Sequence, residues 1–255
     1  MKDVIYGWWL PPDISTHGAG IDQLIFYIHI FMFTLFFGWG VFFLYTLYRF
    51  RERPGHTATY EAKHFTFSTY LEAAVLGIEL VLLFALAMPI TLQAKTPPAE
   101  KDAFTVRIVA QQFAWNIHYP GPDGKFGRTE EKLVNEAAGN PIGLDRTDPD
   151  AKDDVVTIND FHFPVKTKIL VKLSSKDVIH SFFIPVLRVK HDSVPGMVVP
   201  VWFEATQTGQ FEIACAQLCG NSHYRMRGSL TVETPETYTA WMADQQKELN
   251  PEVAQ

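Results

Sequence analysis

Twelve consecutive residues near the C-terminal end, Cys215-Ala216-Gln217-Leu218-Cys219-Gly220-Asn221-Ser222-His223-Tyr224-Arg225-Met226, supply two thiols, an imidazole and a thioether. Cys215 and Cys219 are the only cysteines in 255 residues. A second imidazole, His180, lies upstream in Asp177-Val178-Ile179-His180-Ser181-Phe182. Thiolate, imidazole and thioether together are soft ligands of the kind that hold copper. Three other chemistries fit part of the set. A disulfide uses both thiols but leaves His223 and Met226 without a task. Structural zinc takes two Cys and two His readily and has little use for methionine. A mononuclear blue-copper site needs one Cys, two His and a weak axial Met, which leaves the second thiolate over. Two copper ions held by two bridging thiolates, two terminal imidazoles and one thioether use every ligand.

Such ligands need rigid elements around them. After Pro97-Pro98 apolar residues alternate with polar ones: Phe104, Val106 and Ile108, then Ile169, Val171 and Leu173, then Phe211 and Ile213, then Leu230 and Val232. Alternation of this kind predicts half-buried strands, and many short strands separated by Gly and Pro predict a sandwich or barrel. His180 then falls in a loop after the strand ending near Leu173. The other ligands fall between the strands around Phe211–Ile213 and Leu230–Val232. Residues 121–154 have few apolar side chains and read as a long surface excursion. Thr234, Pro235 and Glu236 read as the N-cap, first position and first turn of a C-terminal helix. No Cys-x-x-Cys-His is present, so no haem is attached covalently. His29, His118, His162 and His191 read as surface or packing residues.

Upstream the pattern is different. From Leu24 to Tyr48, about 25 residues, there is no Asp, Glu, Lys or Arg, and about 20 apolar residues cross a bilayer. The run is too long for a signal-peptide core and no small-residue cleavage site follows it. A second apolar run covers about 71–92 and contains Glu72 and Glu79. A buried helix of a soluble domain is the alternative for that run, but its place just after the first span favours a helical hairpin. The linker carries Arg49, Arg51, Arg53 and Lys63 against Glu52 and Glu61. Basic residues stay on the cytoplasmic side, which puts both termini outside. Trp8, Trp9, Trp39, Tyr45 and Tyr48 suit the membrane interfaces. A carboxylate at mid-membrane costs about 2.5–3.5 kcal/mol on insertion scales, so Glu79 must face protein or stay protonated. The organisation is therefore 1–95, an N-terminal segment with two spans, and 96–255, an external domain. A net charge of −6 argues against nucleic acid as a partner.

The ligand loop resembles the binuclear copper-A motif of cytochrome c oxidase subunit II, Cys-Ser-Glu-x-Cys-Gly-x-x-His-x-x-Met, and the likeness runs over nearly the whole chain. The resemblance implies an N-terminal transmembrane α-helical hairpin followed by an all-β Greek-key cupredoxin-like barrel. It implies that Cys215 and Cys219 bridge two copper ions, that His180 and His223 each cap one, and that Met226 and the Gln217 carbonyl are weak axial ligands. The family usually has Glu at Gln217, where the carboxylate also reaches an interfacial magnesium or manganese. An amide is a poorer ligand for such cations, so that site is weakened here.

Gln111-Gln112-Phe113-Ala114-Trp115 resembles the family's Gln-Trp-Tyr-Trp run, which implies a path for incoming electrons through Phe113 and Trp115. Both also suit plain strand aromatics. The stretch from Leu187 to Gly196 resembles Leu-x-x-Lys-x-Asp-x-x-Pro-Gly, which faces subunit I near the haem propionates. This points to Lys190 and Asp192, with Arg225 and Arg227 beside them. Glu72 aligns with a Glu at the mouth of a proton-uptake channel. Asp177 lies where an acidic residue would steer a basic cytochrome c. The implied role is an electron-accepting subunit of a proton-pumping terminal oxidase in a bacterial-type inner membrane, multi-pass, with the copper domain outside. Its partners would be subunit I with haems and copper-B, further oxidase subunits, and cytochrome c or a c-type cytochrome subunit. A copper-A subunit of a nitric oxide reductase and a copper-free structural subunit of a quinol oxidase are the alternatives.

Overall fold

The computed structural model of this chain describes residues 10–57, 60 and 66–249. Trp8, Trp9, Glu61 and Lys63 lie outside the described residues. The chain forms two units, one of residues 20–93 and one that joins residues 10–19 to everything from Ala94 onward.

The smaller unit is helical. Helix α1 (Gly18–Arg49) has 32 residues. Helix α2 (Thr66–Leu80), a π-helical turn (Val81–Ala87) and α3 (Met88–Lys95) form a second apolar stretch of 30 residues. Both are long and apolar enough to cross a membrane. They run past the expected limits of 24–48 and 71–92, because helical hydrogen bonding continues into the flanking polar residues. At the start of α1 the Ser15 hydroxyl accepts the Gly18 N–H at 2.7 Å, satisfying a donor that the helix itself cannot. The π-turn lies just ahead of Pro89. A proline ring clashes with the carbonyl four residues back and provides no N–H, so the ladder widens locally. The Met88 N–H accordingly reaches five residues back, to the Leu83 carbonyl. His29 donates within its own helix to the Ile25 carbonyl at 2.7 Å, a packing role as expected.

The larger unit is a β-sandwich of two five-stranded sheets. Its strands are β1 (Phe104–Gln111), β2 (Ala114–Tyr119), β3 (Val155–Ile158), β4 (Asp160–Pro164), β5 (Lys168–Ser175), β6 (His180–Ile184), β7 (Val189–Ser193), β8 (Val199–Glu204), β9 (Gly209–Cys215) and β10 (Arg227–Glu233). One sheet runs β3-β2-β1-β5-β8 and the other β4-β10-β9-β6-β7. The chain crosses between the sheets, which creates one parallel pair in each, β1 with β5 and β4 with β10. Inward residues come from the alternating positions of the sequence: Val106, Ile108, Ile169, Val171, Leu173, Ile213, Leu230 and Val232 are all buried. Phe161, Phe163 and Phe203 fill the centre with ring centroids 5.3–6.3 Å apart. Burial of each such ring stabilises the fold by about 1.5–3 kcal/mol. Helix α4 (Pro235–Leu249) closes the domain, and its start is capped as expected, with the Thr234 hydroxyl accepting the Thr237 N–H at 3.3 Å.

Two features go beyond the expectation. The N-terminal strap belongs to the sandwich: Ile14 is 2% exposed, its N–H bonds the Val186 carbonyl at 2.9 Å, and its carbonyl accepts from Thr206 at 2.7 Å. Residues 121–154 are also more than a surface excursion. Ile142, Leu144 and Ala151 bury a small cluster against Val109 and Val156. Few apolar residues suffice because polar side chains satisfy the backbone, as when Asn140 donates to the Leu133 and Leu144 carbonyls. The segment ends at fully buried Asp154, which accepts from His118 Nε2 at 2.6 Å and from the Gly127 N–H at 2.8 Å. His162 stacks on Trp241 of α4 at 4.2 Å, and His191 is half-buried on β7.

Candidate metal centre

The soft ligands come from the start of β6 and from the β9–β10 connection, both in the second sheet. Strand β9 ends at Cys215, a loop with one 3-10 turn (His223–Arg225) follows, and β10 begins at Arg227. His180 sits at the start of β6. The sequence reading placed it in a loop. Its backbone instead pairs with Ser193 on β7, which buries the ring completely.

The donor atoms converge. The His180 Nδ1 lies 3.2 Å from the Met226 Sδ and 3.9 Å from the Cys215 Sγ. The two Sγ atoms are 3.8 Å apart, and both thiols are free. A disulfide needs about 2.05 Å, so the bridged alternative is not what this fold holds. The separation is less than two metal–thiolate bonds of about 2.3 Å, so both sulfurs can ligate the same ion. Cys219 Sγ is 3.5 Å from the His223 Nδ1 and 3.7 Å from the Met226 Sδ. The Gln217 carbonyl stands 3.2 Å from the Cys215 Sγ, while the Gln217 side chain is exposed. The ligand atoms of His180, Cys215 and Cys219 all lie within 4.8 Å of one another. The residues present thus fit a soft metal, with nitrogen and sulfur donors turned inward.

The thiols are electrostatically unequal. Burial pushes Cys215 up, but hydrogen bonds with His180 and with the backbone of Ser181 and Gln217 outweigh it and bring the thiol to about 6. Burial and the charge of its neighbour Cys215 push Cys219 up to about 12. Burial lowers His180, yet its bonds to Cys215 and Asp177 carry it above its ordinary value.

Asp177, expected on a docking face, is exposed, and its carboxylate also reaches the ligand histidine. Its Oδ1 takes the His180 Nε2 at 2.9 Å, and its Oδ2 accepts the Gln112 N–H at 2.6 Å. A carboxylate on the far nitrogen fixes the ring and its tautomer, leaving Nδ1 to face the sulfurs. The sequence reading named Asp177 but missed this task. Its signal was the three-residue spacing to His180, which lets the carboxylate curl back on the ring.

Trp115 is wholly buried, edge-on to His180 with centroids 6.2 Å apart. Phe113 lies half-buried in the β1–β2 turn, against the site's Gly220. Lys190 and Asp192 point outward from the edge strand β7, and Arg225 and Arg227 are exposed beside Met226. Arg227 approaches Glu212 at 3.5 Å. In the helical unit, Glu72 and Glu79 line one cavity of about 250 Å³ together with Trp39 and Ser68.

A sandwich that sets two thiols, two imidazoles and a thioether together, in a chain that also carries two apolar helical stretches, defines a membrane-anchored domain able to hold a soft metal. Residues 104–233 match the family model described as cytochrome c oxidase subunit II, periplasmic domain. The alternative cytochrome c oxidase subunit 2 of Bradyrhizobium diazoefficiens is 38% identical over 93% of this chain and 84% of its own. The cytochrome c oxidase subunit 2 of Cereibacter sphaeroides is 29% identical over 78% of this chain and 67% of its own. Among solved structures, the periplasmic domain of subunit II of the Bradyrhizobium japonicum cytochrome oxidase is 28% identical, with a TM-score of 0.43, over 60% of this chain and 98% of that one. The chain belongs to the cytochrome c oxidase subunit II family. It is a membrane-anchored protein with an external domain.

Proposed function

We propose that this chain accepts electrons for a haem-copper terminal oxidase through a binuclear copper-A centre. The convergence of His180, Cys215, Cys219, His223 and Met226 in one loop pair carries the reading. Cys215, Cys219, His180, His223, Met226 and the Gln217 carbonyl would hold the copper, the thiolates and imidazoles as its stronger donors and the thioether and carbonyl as its weaker ones. The bound copper supplies one-electron redox chemistry. The protein supplies constancy of shape, since buried ligands on a rigid sandwich change little between redox states. Oxygen reduction and proton pumping fall to subunit I. A copper-free subunit of a quinol oxidase would have no task for the complete thiolate set. The relatives' names favour cytochrome c oxidase over a nitric oxide reductase.

Geometry also supports a route. Trp115 is sealed behind His180, so Phe113 forms the outer end of the path. Val178, Ile179 and Leu218, which neighbour the ligands in sequence, are exposed apolar residues. The donor, cytochrome c or a c-type cytochrome subunit, would therefore dock largely through apolar contact. Lys190, Asp192, Arg225 and Arg227 stand outward, as a contact with subunit I requires. Glu72 remains the candidate for proton uptake. The N-terminal strap, packed into the external domain ahead of α1, supports two spans that leave and return to the same, periplasmic side of a bacterial inner membrane.

The test is metal content of the full chain purified in detergent and loaded with copper. Two copper ions per chain sharing one unpaired electron are expected in the paramagnetic resonance spectrum. A single copper with a four-line spectrum, or preferential zinc, would refute the reading.

A further inference from the structure

The arm that carries His180 leads from β5 of the first sheet into β6 of the second, while the Cys219 loop joins β9 to β10 within the second, and one residue touches both. Gln112 stands in the β1–β2 turn. Its backbone N–H donates to the Asp177 Oδ2 at 2.6 Å, and Asp177 in turn holds the His180 ring. Its side-chain Nε2 donates to the Cys219 carbonyl at 2.5 Å. One residue thus grips the arm that carries His180 and the arm that carries Cys219.

The neighbouring glycine shows how close the contact is. Gly220 has a φ of 139°, a conformation rare for residues with side chains, and a Cβ there would lie 2.7 Å from the Gln112 Nε2 and 3.0 Å from the Phe113 ring. The copper loop is seated directly on the turn, and only glycine permits it. The Lys176 N–H adds a bond to the Ala110 carbonyl at 3.0 Å, fastening the start of the His180 arm to the end of β1.

We propose that Gln112 is a positioning residue for the copper centre: it fixes the spacing between the His180 arm and the Cys219 arm by bonding to both. This rests on the copper reading given above. Gln112 touches no ligand atom. It acts through a carbonyl and a carboxylate, so its removal should loosen the site without removing a ligand.

The substitutions separate its two bonds. Gln112→Ala keeps the backbone N–H to Asp177 and loses the amide donor. Gln112→Glu puts an acceptor against the Cys219 carbonyl, so the contact becomes repulsive. The full chain in detergent is examined in two states. In the metal-free state, amide hydrogen exchange across 215–226 should be faster than in the parent, by about fivefold in Gln112→Ala and more in Gln112→Glu, as expected for one lost hydrogen bond. In the copper-loaded state, both variants should still bind two ions, release them to a chelator faster in the same order, and show an altered copper hyperfine pattern. Exchange at parent rates in both variants would overturn the brace, whatever the metal. Parent-like copper release and hyperfine pattern in Gln112→Glu would overturn it as a determinant of the copper centre. Failure of the parent itself to take two copper ions would refute the copper reading, and the exchange rates would still decide the brace. A melting curve for each variant guards against global unfolding, and Gln112→Asn serves if Gln112→Glu fails to fold.

Discussion

On the proposed ligand set a thiolate would be harder to lose than a thioether, and this ranks the site's residues. Cys219→Ser should leave at most one copper per chain and abolish the shared-electron spectrum, because the proposed centre would lose one of its two thiolates. Met226→Leu should keep both ions and shift their reduction potential, since the axial thioether tunes more than it holds. Gln217→Glu should leave the copper spectrum unchanged, because only the carbonyl of that residue faces Cys215. Copper analysis and paramagnetic resonance on the three variants check the ranking. Loss of all copper from Met226→Leu with none lost from Cys219→Ser would reverse the roles. The ligand types and their short spacings made this much legible in the sequence. The bonds around them were not legible, since Gln112 meets partners 65 and 107 residues away. The first depends on the pairing of β1 with β5 and the second on how the two sheets face each other, and no local pattern encodes either.

At the scale of elements, alternation located the main strands and two apolar runs located the helices. It failed for residues 121–154, where polar side chains stand in for a core. The seam between that segment and β2 is the buried His118–Asp154 pair, within reach of the charges of Arg107 and Arg146. His118→Ala leaves the Asp154 acceptor short of a donor and should cost about 2 kcal/mol, or roughly 5 °C in melting temperature. Burial lowers the pKa of His118 from 6.5. The unfolded chain therefore binds the proton more readily than the folded one, and stability present above about pH 6.5 is lost as pH falls below it. Melting curves between about pH 7 and 5 should show a shallower decline in the variant. His17 and His191, also lowered by burial, keep part of the slope. An equal slope in both proteins would remove His118 from the account. The helices yield a separate expectation. Protease added to sealed right-side-out vesicles should cut the external domain and spare the linker that bears Arg49, Arg51 and Arg53. Cleavage in that linker would invert the topology.

For the whole molecule, the anchor and the sandwich divide the work. The apolar helices anchor the chain, and the strap at residues 10–17 packs within the external domain. The sandwich then presents the ligand loops with apolar Val178, Ile179 and Leu218 outward. The family and the fold were legible in the sequence because one loop concentrates the chemistry. Which of Trp115 and Phe113 lies nearer the solvent was not, because the burial of Trp115 and the exposure of the Phe113 turn follow from the packing of both sheets. The most direct test is rapid mixing of reduced cytochrome c with the assembled oxidase, following copper and haem absorbance together. The account predicts that the copper centre of this chain is reduced first and that haem reduction follows as copper is reoxidised. Haem reduction that precedes any change in the copper signal would contradict it.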